Sequence, residues 1–323
     1  MIDFRYHIVS LVAVFLALAV GIALGAGPLQ AQPATGRAAV SGPTSNDLRN
    51  QVGTLTQQGR ADESFITTVA PLLEQGRLSG ARAVVVAMPG ATRDLTGAVA
   101  ATLRSAGAQI SGTVSLRSEL FDPTRAGYLD DLVSRLGSPV PTTAGPAERA
   151  LAAVAQALVT RAPGTDGGQP NTAAAQLIAG LEQLDLITAT GDPATRANLA
   201  VVVSGVPAAT PTQAETDALG RAVSFLGQLR GIGAGAVLVG PAAAARAGGL
   251  LAAVRAGGAS VAQVSTVDNI DTAAGGVTLV FAAAEQLAGG TGAYGTGPGA
   301  QAVLPDLSGA SPAVTASPGA SGG

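Results

Sequence analysis

Residues 83–90 read Ala83-Val-Val-Val-Ala-Met-Pro-Gly90, and residues 199–203 read Leu199-Ala-Val-Val-Val203. A strand with one face in water alternates apolar and polar side chains, because successive side chains point to opposite faces. Three valines in a row leave neither face for water, which marks strands in a parallel sheet covered by helices on both sides. Working outward, apolar or β-branched runs at residues 83–88, 109–116, 199–203, 236–239, 260–264 and 277–281 alternate with Ala-rich stretches. This alternation predicts an α/β domain over residues 82–288, a mostly parallel sheet flanked by helices in Rossmann- or flavodoxin-like layers.

A weak internal repeat supports that class. Residues 84–111 give strand, Pro/Gly turn, helix, Gly-Ala turn and strand, and residues 236–262 give the same order, as a βαβ crossover does. Residues 128–136, 148–161 and 172–184 read as helices between the two units. From residue 289 to 323 the chain is Gly/Pro/Ser-rich with one charge, Asp306, and is expected to be a tail, disordered toward its end.

Upstream of the domain, residues 8–26 carry no charge. A helix of roughly 20 apolar residues spans the hydrocarbon core of a bilayer, so this segment is expected to be a transmembrane anchor. The alternatives are a cleavable signal peptide, whose apolar region is usually shorter, and a buried core helix. Arg5 and the α-amino group oppose Asp3 before the segment, and no charge follows until Arg37. That balance places residues 1–7 in the cytoplasm and the domain outside it. Gly21 and Gly25 form a Gly-x-x-x-Gly step through which two helices could approach closely, a possible homodimer contact. Residues 27–45, with Pro28, Pro33 and Pro43, read as a linker.

Residues 46–75 read as an amphipathic or coiled-coil helix. Leu48, Val52, Leu55, Gly59, Asp62, Ile66, Val69 and Leu73 recur at alternating spacings of four and three, the seam of a coiled coil. Pro71 is expected to kink or end it. Leu48, Val52, Leu55, Ile66, Val69 and Leu73 are therefore candidate contacts, either for a partner or a second copy, or for the domain itself.

Composition excludes several chemistries. The chain has 18 basic residues, all Arg, and they are scattered, so no basic face for nucleic acid is expected. Without Cys there is no disulfide, thiolate metal site or cysteine nucleophile; without Lys there is no Schiff base. The single His, His7, adjoins the apolar segment, which removes a Ser-His-Asp triad from the domain. Gly231-Ile-Gly233-Ala-Gly235 precedes a strand, whereas a dinucleotide fingerprint follows one, so it reads as a turn. Residues 88–94, after the first strand, are better placed for a ligand, although Thr92 or Asp94 as a helix N-cap explains them. Residues 268–272, Asp268-Asn-Ile-Asp-Thr272, lack the Gly and distal Glu of a calcium loop and read as local turn or cap chemistry. Asp130-Asp131 and Glu119 with Asp122 read as solvated faces. No catalytic centre, cofactor or metal site is expected.

Two segments carry a resemblance. The opening Met1-Ile-Asp-Phe-Arg-Tyr-His7 with the apolar stretch through Gly25 is one. The other is Ser265-Thr-Val-Asp268-Asn269-Ile-Asp271-Thr-Ala-Ala-Gly275 with Glu285-Gln-Leu-Ala-Gly-Gly-Thr-Gly-Ala-Tyr294-Gly295-Thr-Gly297. Both are similar to the actinobacterial copper transport protein B (MctB) family, and the likeness covers roughly residues 1–305. The resemblance implies a role in copper efflux or homeostasis at the cell envelope, in a family described as outer-membrane proteins of mycobacteria. Corynebacterial relatives imply a second role, as membrane-anchored partners in cell separation. It also marks Asp268, Asn269, Asp271, Gly275, Tyr294 and Gly295 as family-motif residues.

Copper prefers thiolate, thioether or imidazole, and the chain offers no Cys, two Met and one His, which argues against direct copper binding. Six Phe, three Tyr and no Trp are too few for the aromatic girdles of a membrane barrel. The expectation is a single-pass membrane protein that touches the lipid bilayer and envelope protein partners and performs no catalysis. It acts in copper homeostasis or, alternatively, as a scaffold of cell-wall remodelling.

Overall fold

Burial on both faces puts the two valine runs side by side in mid-sheet. Strand β1 (Arg82–Ala87) lies parallel to β4 (Leu199–Val203), pairing Val84 with Ala200 and Val86 with Val202, and Val84–Val86 and Val201–Val203 are fully buried. The computed structural model describes residues 45–135, 145–162 and 170–306. The chain divides into two units, Met1–Gln58 and Gly59–Gly323. In the first, residues 45–58 are the opening turns of helix α1 (Ser45–Glu74). The transmembrane segment at residues 8–26, the step Gly21/Gly25 and residues 27–44 of the linker read over 27–45 lie outside the described residues; the linker's last residue, Ser45, opens α1.

The second unit holds a seven-stranded sheet ordered β3 (Ile187–Gly191), β2 (Gln109–Leu116), β1, β4, β5 (Gly235–Val239), β6 (Ser265–Val267), β7 (Ala293–Tyr294). Every neighbouring pair is parallel except β2 with β3. Mixed α/β with a mostly parallel sheet is therefore the architecture. The chain builds outward from β1 to β3 on one side, then returns to lay β4 to β7 on the other. Strand order reverses between β1 and β4, which opens a crevice at their carboxyl ends.

Alternating side chains feed two cores. Val84, Val86, Ala200, Val202 and Leu238 pack with α3 (Ala126–Arg135), α4 (Pro146–Leu158), α5 (Thr172–Gln183), α6 (Gln213–Ile232) and α7 (Leu250–Ala256). Ala83, Val85, Val201, Val203 and Val237 pack with α2 (Arg93–Ser105) and α8 (Ala273–Leu287). Each fully buried Val contributes roughly 1.5–3 kcal/mol. The repeat seen in sequence corresponds to β1-α2-β2 and β5-α7-β6. Crossovers are right-handed with rare exceptions, so reversing the direction of travel moves the connecting helix to the other face, as α2 and α7 show. By the same geometry the β6-α8-β7 connection, which travels as α6 and α7 do but puts α8 on the opposite core, has the opposite hand.

Several expectations need correction. Residues 277–281 are not a strand but the middle of α8, where Thr272 caps the helix by accepting from the Gly275 amide at 3.0 Å. Buried against the sheet, that helix needs no polar stripe on its inner face, and a short apolar run cannot be told from a strand by periodicity. Residues 260–264 form turns, with Val261 N donating to Gly258 O and Val264 N to Val261 O; the strand begins at Ser265. Strand β3 was not anticipated, because its exposed Thr188 and Thr190 dilute the apolar signal. The sheet continues past residue 288 into β7. Asp130 is no solvated carboxylate: Arg149 on α4 donates to both its oxygens from Nε and Nη2. Pro71 does not end α1, which runs on to Glu74.

Glu74 is buried, and Ser105 Oγ on α2 donates to its Oε2 at 3.2 Å. Desolvation dominates that hydrogen bond and pushes the carboxyl above its ordinary value of 4.5. A raised folded-state value favours folding fully below the unfolded pKa, and this contribution is lost as pH rises through the folded value. Glu74→Gln is therefore expected to raise the thermal unfolding midpoint at pH 7–8, with the difference vanishing below the unfolded carboxyl value of about 4.5; melting curves across pH check this.

Candidate functional site

At the switch point the backbone leaves β1 through Met88-Pro89-Gly90 and β4 through Ser204-Gly205-Val206-Pro207. The two loops are pressed together: a Cβ on Gly205 would stand 2.5 Å from the Gly90 carbonyl carbon, and Gly90 has φ +85°. Only glycine fits at both positions. These loops, Phe121, the first turns of α6 and the Gly248-Gly249 turn before α7 enclose an open cleft of about 570 Å³.

Most of its wall is apolar, including Met88, Phe121, Leu219 and Leu250. Its polar side chains are Ser118, Ser204, Glu215 and Thr216, with no Arg or His among the lining residues. Each hydroxyl spends its proton inside the protein. Ser118 Oγ donates to Glu119 Oε2 at 3.1 Å, Ser204 Oγ to Gly205 O at 3.0 Å and Thr216 Oγ1 to Thr212 O at 3.0 Å. Glu215 Oε2 accepts from Thr212 N at 2.7 Å and from Thr212 Oγ1 at 2.9 Å, while Glu215 N donates to Thr212 Oγ1 at 3.2 Å, a capping box. The Thr212 amide and hydroxyl hold the Glu215 carboxyl below its usual range. Sequence had pointed to residues 88–94; of these, Met88, Pro89 and Gly90 line the cleft, and Thr92 caps α2 by accepting from Leu95 N. The β4 half was missed, although Val203-Ser-Gly-Val-Pro207 ends its strand with the same Gly/Pro grammar as β1.

The family-motif residues gather elsewhere, at the end of β6. Asp268 is fully buried and pairs with Arg255 Nη1 at 2.8 Å, side-chain exposures being 0% and 6%. Thr296 N and Gly297 N donate to its Oδ1 at 2.8 and 2.9 Å. Arg255 also donates from Nε to Thr266 Oγ1 at 2.9 Å, from Nη1 to Pro298 O at 2.8 Å and from Nη2 to Tyr294 O at 2.8 Å. Both charges are thus satisfied by the protein, and the pair ties β7 and the loop after it onto β6. Gly295, at φ +123°, lies so close that a Cβ would come within 2.3 Å of Asp268 Oδ1.

Tyr294 Oη donates to Glu285 Oε2 at 2.7 Å, and burial, then that carboxylate, push its phenol well above the ordinary value. Gln286, also buried, receives Ala236 N on Oε1 and donates from Nε2 to Ser265 Oγ and the carbonyls of Gln263 and Gly290. Gly275 admits no Cβ because Asn269 O would lie 1.8 Å away. Asn269 is buried and Asp271 exposed. The structure thus brings Asp268, Tyr294 and Gly295 together, sets Asn269 and Gly275 against each other, and leaves Asp271 outside. Arg255, the hub's other charge, lies outside both resembling segments, whereas Gln286 lies within the second of them beside Glu285.

Along α1, Leu48, Val52, Leu55 and Leu73 are exposed, and Ile66 and Val69 are half-buried. Glu63 Oε1 accepts from Ala273 N at 2.7 Å, capping α8 from α1. Among the described residues no three His, Cys, Asp or Glu side chains form a metal-binding group.

Fold and sites define a doubly wound α/β protein with an open switch-point cleft and a closed polar hub. The chain belongs to the MctB family: the model for "Copper transport outer membrane protein, MctB" matches residues 1–305. It is 31% identical to copper transporter MctB of Mycobacterium tuberculosis (strain ATCC 25618 / H37Rv), over 94% of this chain and 99% of that protein. Against copper transporter MctB of Mycobacterium leprae (strain TN) identity is 30%, with the same coverage.

Removing one partner of a buried ion pair leaves an uncompensated charge and costs about 3–5 kcal/mol. Asp268→Ala is expected to lose that much stability in urea denaturation, and Tyr294→Phe, which removes one hydrogen bond, about 1 kcal/mol. A cost for Asp268→Ala as small as that for Tyr294→Phe would show that the hub does not hold the C-terminal segment.

Proposed function

We propose that this protein is a membrane-anchored, non-enzymatic envelope component of copper homeostasis that acts through protein partners. Membership of a family whose mycobacterial members are named copper transporters carries the copper assignment. Action through a partner follows from ligand chemistry: with no Cys, one His and two Met, the chain lacks the soft donors that would hold copper by itself. Among the described residues no helix is long and apolar enough to cross a membrane. The anchor in this reading is residues 8–26, uncharged and of spanning length, with residues 1–7 in the cytoplasm and the α/β domain outside it. The family description favours the outer membrane as the competing location.

A second reading is a scaffold of cell-wall remodelling and cell separation that works by contact. The apolar side chains Leu48, Val52 and Leu55 favour it, since they stand exposed at coiled-coil spacing on α1. A second copy paired along this stripe, with Gly21 and Gly25 meeting in the bilayer, is the homodimeric form of the same idea.

Deletion of the gene is expected to sensitise cells to copper, with rescue by the intact chain; a separation defect at unchanged copper content would assign the scaffold role instead. Val52→Glu combined with Leu55→Glu is expected to abolish in-cell cross-links to partner or second copy while the domain's melting curve stays unchanged. Undiminished cross-links would remove α1 as the contact. Protease added to spheroplasts is expected to digest the domain, and its protection alongside a cytoplasmic control would refute the topology.

A further inference from the structure

We propose that the cleft between the β1 and β4 loops is a binding site for an amphiphile with an apolar body and a head group that donates hydrogen bonds, an alcohol or an ammonium. Its position is the first reason. Ligands of open α/β sheets bind beyond the carboxyl ends of the strands where strand order reverses, and that reversal lies between β1 and β4. Its size is the second: about 570 Å³ falls within the range of small-molecule sites.

The chemistry of the wall selects the ligand. Doubly wound proteins that bind phosphates at this place present the free amides of a helix N-terminus. Here the capping box fills that position: Glu215 N is bonded to Thr212 Oγ1, and the carboxylate of Glu215 lies at the positive end of α6. No Arg or His lines the cleft to balance an anion. The protons of Ser118, Ser204 and Thr216 are committed to protein acceptors, so these side chains offer lone pairs only. Glu215 Oε1 is bonded to nothing among the described residues and offers another. A head that donates is matched to this set of acceptors, and an anionic head is repelled by it. The apolar body meets Met88, Phe121, Leu219 and Leu250.

The test uses the full chain in lipid nanodiscs with three photoactivatable probes of one hydrocarbon chain: diazirine-bearing decanol, decylammonium and decanoate. Cross-linked peptides are mapped by mass spectrometry. The alcohol and the ammonium are expected to label residues 88–90 and 205–219 about fivefold more than the carboxylate does, as one exposed charge contact allows. Glu215→Gln keeps the capping box, because Gln serves there as well as Glu, and is expected to lower the ammonium-to-alcohol ratio about fivefold. Ala218→Trp places an indole in the cleft and is expected to remove cleft labelling with α/β circular dichroism retained; excess unlabelled decanol is expected to do the same to the unaltered protein. Equal labelling by all three probes, stronger labelling by decanoate, absence of label from the cleft, or label that excess decanol does not displace would overturn the proposal.

Discussion

The structure rests on the parallel pairing of β1 with β4, two strands whose side chains find apolar partners on both faces. Because Val84–Val86 and Val201–Val203 are dry above and below, helices must cover both sides, and the described residues supply five on one core and two on the other. The pairing also fixes where the chain can be open. Strands laid outward in both directions from a central pair leave their departing loops diverging, and the cleft occupies that divergence. Gly90 and Gly205 bring the loops back into contact at one point, so the opening is bounded.

The far end of the sheet is stabilised differently. Strand β7 has two residues, and its connection runs against the hand of the other crossovers, so a ladder of backbone bonds contributes little there. The Asp268–Arg255 pair supplies what the ladder lacks, converting two buried charges into bonds to Tyr294, Thr296, Gly297 and Pro298. Such a pair contributes more to defining one arrangement than to net stability, since desolvation offsets much of the attraction. Of the residues that mark the family in sequence, Asp268, Tyr294 and Gly295 are occupied in holding the chain to itself. Asp268 has no spare charge with which to meet a metal ion.

The sheet's centre was legible in sequence because its signal, three valines without a polar neighbour, has one physical cause. Helices 126–135, 146–158 and 172–183 were legible for a similar reason, each carrying an apolar stripe against a polar one. Legibility failed where two causes produce one pattern. Residues 277–281 are apolar because a helix is buried, not because a strand is, and nothing within five residues distinguishes the two. The cleft was half legible: the Pro89-Gly90 turn announced itself, whereas Ser204, Glu215 and Gly248 meet it only through the fold. Asp130 looked solvated because Arg149, its partner, is distant in sequence and reaches it only when α3 and α4 pack.

The electrostatics of the cleft follow from one local choice. A Thr at the N-cap of α6 could have left the helix's amides facing the opening, as phosphate sites require. Placing Glu215 three residues later turns the carboxylate back on the Thr212 amide, which stabilises the helix end and sets a negative charge at its positive pole. The same topology that serves nucleotide binding elsewhere here carries a carboxylate where a phosphate would approach, which disfavours an anion. Fold class alone says nothing of ligand class here; a single side chain at the mouth of the crevice decides it.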